Sequence, residues 1–556
     1  MEGSLPLFDP NQQAAIADDA SRIYLAAVPG SGKTTVLCGR IARLLGQGVP
    51  PSAILALTFS RNSAADMAAR FHRMYGEELE PPAFRTLHSF SYRLIANRQA
   101  SPNMDSAALS RIAGDAFSQA KGYPPSPDEL EQFLSLISYC QNTGIAPSRA
   151  EKEKFFPDFA LAFRVYQEGK ESAGLFDYDD LLLTAEALLR ERPITGISAI
   201  LVDEAQDLSP LQHRIIQLLA RNASLFMVGD EDQSIYSFRG ADASPLVQFP
   251  QSYGGKLLYL DTNYRSTQKI CRAADRLIRS NVIRTPKQIA TPNPKGPSLR
   301  LYRTNCRTSL YRHLVRAASS SGERVAVLFK TNAAIFPLAF FLTRAGIPYS
   351  APSDLNQFLR YGDISLLVEA LAYCAGIKPL SSRISRHLAP SLQKEDPSLV
   401  EKTARKIGEL SPEAALTAIR RELLLYSLPV NRFRWRNLRA MAGECSSVGE
   451  FLSTLEQATH LAEGASLTLS TVHQAKGCEY QRVYLCDWEE GKLDPPSANR
   501  PFEGEEETRL LYVALTRAAK SFEVLLCNPT KVSRPLRSAP LLRLIRSSGH
   551  PLFRKY

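Results

Sequence analysis

The 556-residue chain has nine cysteines and not one C-x-x-C pair. That absence excludes zinc-ribbon, iron–sulfur and thioredoxin-type spacings, and the odd, scattered count excludes a disulfide framework. Such scatter in a long chain points to a reducing, cytoplasmic setting in which buried thiols act as small apolar side chains. The opening MEGSLPLFDP carries neither a basic nor an apolar stretch, so a secretory leader is not expected. The longest apolar run, Ala333 to Leu342, has ten residues, half of the roughly 20 that span a bilayer, and no membrane association is expected. Internal repeats and low-complexity tracts are absent too. One sign of charge does not dominate: 67 Lys and Arg against 56 Asp and Glu leave +11, dispersed along the chain, so charge alone is a modest pointer to an anionic partner. The exception is Lys531 to Tyr556, with seven basic and no acidic residues, which reads either as a solvated end or as a phosphate contact.

What is present is a globular composition, 44% hydrophobic and 22% charged, over a length that at about 150 residues per domain suggests about four folding units. Short aliphatic runs recur: AILALTF (53–59), AILVDEA (199–205), LFMVGD (225–230), RVAVLF (324–329), LTLSTVH (467–473) and FEVLLC (522–527). They read as buried parallel strands. Helical patterns such as 33–46 and 507–520 lie between them, so an α/β architecture with two sheets is expected. Residues 96–195 and 356–464 show helical periodicity with few strand runs and read as mainly helical insertions.

The strongest chemical signal is AVPGSGKTT, Ala27 to Thr35, which follows the apolar run IYLAA and opens a helix. Strand, glycine loop and helix in that order make a P-loop. Gly30 and Gly32 let the backbone curl through Pro29-Gly30-Ser31-Gly32, so that the successive N–H groups that follow Pro29 and the helix start turn toward phosphate oxygens. Lys33 adds a point charge on the β and γ phosphates, and Thr34 a hydroxyl ligand for Mg²⁺, with Thr35 beside it. Ala27 stands where the full pattern has its first glycine. The second signal is LVDEAQD, Leu201 to Asp207, a carboxylate pair closing a hydrophobic strand. Asp203 is suited to hold Mg²⁺ and Glu204 to polarise the attacking water.

With these, DPNQQ (9–13), LTFSRNSAADM (57–67), FRTLHSF (84–90), FDYDDLL (176–182), VGDEDQSIYSFRGA (228–241), NYRS (263–266), TVHQAKGCEY (471–480) and EEETRLLYVALTRA (505–518) follow in order, and the chain resembles a superfamily 1 DNA helicase of the UvrD/Rep/PcrA type. The resemblance implies two RecA-like P-loop NTPase lobes with parallel sheets, each interrupted by a mainly helical insertion. The first lobe would comprise 1–95 and 196–270 around the 96–195 insertion, and the second 271–355 and 465–530 around a reduced accessory insertion, 356–464, before the basic tail 531–556. It implies ATP and Mg²⁺ as cofactors. Gln12 resembles the adenine-reading glutamine, Tyr264 the aromatic that stacks on the base, and Glu479 the ribose contact. Gln233 resembles the sensor that links γ-phosphate to DNA, and Arg265 and Arg517 the arginines that neutralise the transferring phosphate, a cationic role that phosphoryl transfer demands.

For single-stranded DNA the resemblance implies contacts on Phe59, His88, Tyr236, Phe238, Arg239, Thr471 and His473. Aromatics beside basic and hydroxyl groups suit a sequence-independent track. Phe238 stands where many relatives carry tryptophan, SRN (60–62) where they often read TNK, Lys330 where many have arginine, and Cys478 where leucine is usual. Within the second insertion, RFRWRNLR (432–439), if extended, would present one basic and one aromatic face, fit for duplex DNA or for a strand edge over a small core. The implied activity is an ATP-dependent single-stranded DNA translocase and 3′ to 5′ helicase acting on single strands and single/double-strand junctions. The alternative is a DNA-binding ATPase sensor or assembly subunit working beside a separate nuclease in a defence or repair complex. Only 36 residues follow Lys520, so a fused nuclease is not expected there.

Overall fold

The computed structural model describes residues 8–76, 79–154, 156–319, 322–388, 397–424, 430–460, 464–486, 488 and 503–527, so the basic tail lies outside the described residues. Contacts divide the chain into two compact units, one of residues 1–265, 275–293 and 495–512, the other of 266–274, 294–494 and 513–556.

The first unit is built on six parallel strands: β1 (Arg22–Ala27), β2 (Ile54–Thr58), β3 (Phe84–Thr86), β4 (Ala199–Val202), β5 (Ser224–Gly229) and β6 (Lys256–Leu260), in the order β3-β2-β4-β5-β1-β6. Helices cover both faces, so the central strands are aliphatic throughout rather than alternating. Tyr24, Ala26, Leu55 and Leu57 enter one core, whereas Ile23, Leu25, Ile54 and Ala56 enter the other, as the pleat requires. The second core is closed by α1 (Pro10–Ala17), α2 (Lys33–Gly46) and α3 (Arg61–Tyr75), through residues such as Ala15, Ile41 and Phe71.

Among the described residues, α4 (Leu87–Arg98) only reaches into the stretch expected to be helical, 96–195, and five helices fill it: α5 (Ser106–Lys121), α6 (Pro127–Thr143), α7 (Pro147–Lys154), α8 (Phe159–Ser172) and α9 (Tyr178–Glu191). They do not behave alike. α4 and α9 send Phe90, Leu94, Leu182 and Leu189 into the sheet's own core. α5 to α8 instead enclose a separate core in which Phe133 meets Phe117 at 6.0 Å, Phe159 at 5.8 Å and Tyr166 at 6.4 Å between ring centroids.

The second unit carries β7 (Arg300–Thr304), β8 (Val325–Phe329), β9 (Leu467–Thr471), β10 (Tyr480–Cys486) and β11 (Ala518–Cys527), all parallel, in the order β7-β11-β10-β8-β9. Leu366, Leu416, Leu438 and Phe451, from helices between 357 and 457, share one continuous core with Val327, Leu469 and Leu525 of the sheet. The apolar run at 333–342 becomes the buried helix Phe336–Arg344 in that core. Among the described residues no helix is long and apolar enough to cross a membrane.

Three sequence expectations are corrected. RFRWRNLR is not extended but opens the helix Arg432–Ala442. The Asn431 side chain accepts from the N–H groups of Phe433 and Arg434, a cap that starts a helix, and Leu438, Met441 and Ala442 face the core at helical spacing. The arginine alternation therefore does not sort into two faces, and Arg434 pairs with Asp363 and lies 4.0 Å from the Tyr361 ring centroid. The helix expected over 507–520 ends at Thr516, because residues from Ala518 pair with β10 as part of β11. Strands β3, β6, β7 and β10 were not among the expected runs. The first three lie at sheet edges, where polar residues are tolerated, and Gln481 and Arg482 break the aliphatic pattern of β10.

Emptying the separate helical core should be costly. Phe133→Ala is expected to destabilise α5 to α8 by about 3–5 kcal/mol, read as lowered amide-exchange protection in those helices with the sheet strands of the same unit unaffected.

Candidate functional site

β1 delivers the chain into the glycine loop at the carboxyl edge of the first sheet, where open α/β sheets bind ligands. Gly30 and Gly32 have φ of +68° and +80°. Both are also held close: a Cβ on Gly30 would come 2.7 Å from Arg265 Cβ, and one on Gly32 2.9 Å from Gln12 Nε2. Only glycine satisfies both demands. Gln12 is buried and its Nε2 donates to the Ser31 carbonyl at 2.9 Å. Asn263 donates to the Pro29 carbonyl at 2.7 Å, and the Tyr264 N–H to the Gly30 carbonyl at 2.9 Å. The Tyr264 ring stays exposed, with its hydroxyl donating to Asp9 at 2.6 Å. The structure thus brings Gln12, Tyr264 and Arg265 against the loop Ala27–Thr35; Ala27 itself is fully buried in the sheet core, where a side chain is accommodated.

β4 delivers the carboxylates. The Thr34 hydroxyl donates to Asp203 Oδ2 at 3.3 Å, and Glu204 takes φ +50°, a left-handed conformation rare for a side chain other than glycine and a mark of functional sites. Burial, then the neighbouring Glu204 charge, pushes the Asp203 carboxyl up to about 7 despite the opposing pull of Lys33. A carboxylate so poorly compensated, beside a hydroxyl, fits the sparse oxygen set Mg²⁺ takes from proteins, with water and phosphate supplying the rest. Gln206 was not singled out in the sequence. Its fully buried amide donates to Glu204 Oε2 and accepts from the Asp230 N–H at 2.9 Å, tying the end of β4 to the end of β5. Gly229 makes room for it, since a Cβ there would sit 2.6 Å from Gln206 Oε1. Gln233 Nε2 donates to Asp230 Oδ2 at 2.6 Å, within the same cluster.

On the other side of these loops runs a groove of about 920 Å³ lined by Phe59, His88, Tyr92, Tyr178, Tyr236 and Arg239 among others. Phe59, leaving β2, stacks on Tyr236, leaving β5, at 5.3 Å and 15°. Phe238 continues the ring series at 6.1 Å from Tyr236, and the Arg239 guanidinium lies 5.7 Å and 5.5 Å from the two ring centroids. Phe59 and Phe238 are 40% and 43% exposed, large for phenylalanine, so core packing does not account for them. His88 stands edge-on to Tyr178 at 5.9 Å, and burial lowers its imidazole from the usual range, which keeps it neutral at physiological pH. Tyr178 is 58% exposed beside the N-cap Asp177 and was not singled out in the sequence, where FDYDDLL marks only the resemblance. The nearby Asp179 is engaged by Asn142 at 2.5 Å and Ser138 at 3.0 Å, and burial, then Asp177, raises it to about 6.

The remaining sequence candidates belong to the second unit. Thr471 ends β9 and its hydroxyl donates to Gln474 at 3.1 Å, the residue after His473. Glu479 is exposed in the turn before β10. Arg517 is buried, and its guanidinium donates to the carbonyls of Val513 and Cys478 at 3.2 Å and 3.3 Å.

Two family models match this chain: the UvrD/REP helicase N-terminal domain over residues 8–254 and the UvrD-like helicase C-terminal domain over 258–417 and 447–528. Among curated relatives, the ATP-dependent DNA helicase PcrA of Staphylococcus epidermidis is 28% identical, covering 91% of this chain and 81% of its own. PcrA of Staphylococcus aureus is 26% identical over 93% and 83%, and YjcD of Bacillus subtilis 26% over 98% and 82%.

The raised Asp203 carboxyl has a consequence for stability. Because the folded state holds its proton up to about 7 against an ordinary 3.8, ionisation costs folding free energy as pH climbs through that window. Asp203→Asn should therefore raise the thermal midpoint of the nucleotide- and metal-free protein more at about pH 8 than at about pH 5, by scanning calorimetry in a chelator. An equal shift at both pH values would show that burial of this charge is not the cause.

Proposed function

We propose, from the premise that the chain belongs to the UvrD/REP helicase family and is an ATP-hydrolysing enzyme, that it is a single-stranded DNA translocase that unwinds duplexes in the 3′ to 5′ direction. The observation that carries this reading is the segment after β5. Within ten residues it supplies Asp230 and Gln233 to the phosphate side and Tyr236, Phe238 and Arg239 to the ring groove. A shift at one side is therefore transmitted through a few backbone bonds to the other.

In this reading Gln12 and Tyr264 hold the adenine, by hydrogen bonds and by stacking, and the N–H groups of the glycine loop with Lys33 hold the phosphates. Thr34 and Asp203 would bind Mg²⁺, which supplies neutralising charge on the phosphates. Glu204, oriented by its backbone and by Gln206, takes the proton of the attacking water. Arg265 meets charge developing on the transferred phosphate, and the family resemblance assigns Arg517 a phosphate role and Glu479 the ribose contact. Bases stack on Phe59, Tyr236 and Phe238, with Tyr178 and neutral His88 further along the groove, while Arg239 offers charge to the phosphodiester backbone; the family resemblance assigns DNA contacts to Thr471 and His473 as well.

Two predictions follow from these roles. Lys33→Ala should weaken nucleotide binding and abolish turnover, whereas Glu204→Gln should still bind ATP and hydrolyse it at least roughly 10²-fold more slowly, by filter binding and phosphate release. Near-normal turnover in Glu204→Gln would remove it from the base role.

For the groove, Phe238→Ala or Tyr178→Ala should cost about 1–3 kcal/mol of single-strand affinity with little dependence on sequence. Wild-type protein should displace streptavidin from the 5′ end of biotinylated single strands and not from the 3′ end, and Phe238→Ala should lose displacement while keeping DNA-stimulated ATP hydrolysis. Hydrolysis on DNA without displacement from either end would favour an ATPase sensor instead.

A further inference from the structure

The turn after β5 holds three consecutive carboxylates, Asp230, Glu231 and Asp232, all within 1% of complete burial. Their compensation comes from far along the chain. Lys287, itself buried, places Nζ 2.8 Å from Asp230 Oδ1, 2.9 Å from Glu231 Oε1 and 3.7 Å from Asp232 Oδ2. Arg284 grips Asp232 with two hydrogen bonds of 3.0 Å and 2.8 Å, and the Thr285 N–H donates to Glu231 Oε1 at 2.8 Å. A four-residue stretch, 284–287, thus clamps the whole turn, and none of its residues carries a role in nucleotide or DNA binding above.

Asp230 is the pivot. Its Oδ1 receives Lys287 and the Asp232 N–H, and its Oδ2 receives the Gln233 side-chain amide at 2.6 Å. One carboxylate therefore has its two oxygens fixed on opposite partners, a buried cation and the sensor glutamine. With Oδ1 anchored, the plane of the carboxylate is set, and with it the direction from which Gln233 can donate. Because the acceptor is a carboxylate, the amide of Gln233 must present its nitrogen there, which also fixes where its carbonyl points. Without Lys287 the carboxylate would lose the one cation bonded to it and keep only the weaker pull of Lys33, leaving it freer to rotate, and Gln233 would lose its fixed acceptor.

We propose that Lys287 is a positioning residue for ATP hydrolysis, acting through Asp230 on Gln233. The proposal rests on the reading of Gln233 as the γ-phosphate sensor. Support groups of this kind, one shell behind the reacting atoms, typically change activity by roughly 10- to 100-fold.

The test is a mutant cycle on the full chain with DNA-stimulated ATP hydrolysis as readout. Lys287→Met, of similar length and uncharged, should lower kcat by roughly 10- to 100-fold while leaving KM for ATP and nucleotide-free single-strand affinity near wild type. Lys287→Arg should recover most of the loss. Combined with Gln233→Ala, Lys287→Met should add nothing further, since both remove one function. Full additivity in the double mutant, or a wild-type kcat in Lys287→Met, overturns the proposal. A wild-type kcat in Gln233→Ala instead overturns the sensor reading beneath it, so the two failures are told apart. If Lys287→Met does not fold, the isosteric Asp230→Asn takes its place in the same cycle: loss of kcat that is non-additive with Gln233→Ala supports the proposal, and additivity overturns it.

Discussion

Negative charge buried along the carboxyl edge of a parallel sheet is the constraint on which the first unit's chemistry depends. β4 and β5 end in Asp203, Glu204, Asp230, Glu231 and Asp232, all buried or nearly so. Carboxylates removed from water are unfavourable until cations or donors meet them. The two strand ends resolve this in opposite ways. At β5, burial pushes the Asp230 carboxyl up, but Lys287 and then Lys33 outweigh it and hold the group below its usual range. At β4, Lys33 does not overcome burial and Glu204, so Asp203 stays raised. The β5 end has Asp230 compensated, although burial keeps Asp232 up at about 6 against the pull of Lys287 and Arg284, and the β4 end is an electrostatic deficit that a bound cation can relieve. Gln206 ties them together, so that the compensated end serves as a rigid reference for the uncompensated one.

The ring groove obeys a complementary rule. Apolar surface is left in water where the strands hand over to loops, and the exposed rings are held by one another rather than by the core. Phe59 and Tyr236 come from β2 and β5, which are separated in the sheet by β4, yet their rings stack. Stacking across an intervening strand fixes both loops at once and leaves Phe238 as an outward continuation.

Much of this was legible in the sequence because it is written locally. The glycine loop, the strand ending in Asp203 and Glu204, and the exposed aromatics near Gly240 are short motifs whose residue types already limit what the backbone can do. The aliphatic runs of β2, β4, β5, β8 and β9 were equally plain, since strands covered on both faces must be apolar throughout. What escaped was written by distant partners. Lys287 and Arg284 look like ordinary charged residues until a turn more than fifty positions away supplies their counter-ions. Gln206 gains its meaning from Gly229, and Tyr178 from His88. Edge strands β3, β6 and β7 were missed because an edge needs no continuous apolar pattern. The arginine-rich run at 432–439 misled because its period of two in composition competed with a capped helix whose buried residues lie further on.

The two helical stretches differ in a way that bears on how the chain can be shortened over evolutionary time. α5 to α8 keep their own core around Phe133, so a lineage can trim, exchange or lose them while the first sheet stays covered by α4 and α9. The helices between 357 and 457 have no such independence. They share the core of the second sheet and pack on the helix Phe336–Arg344, where Phe358 meets Phe336 and Phe451 meets Phe340, so their removal would bare that helix to water. Loss of length there is bounded by the area of that helix: successive deletions can consume the outlying turns, but residues such as Phe358 and Phe451 must be retained or replaced by another lid of the same footprint.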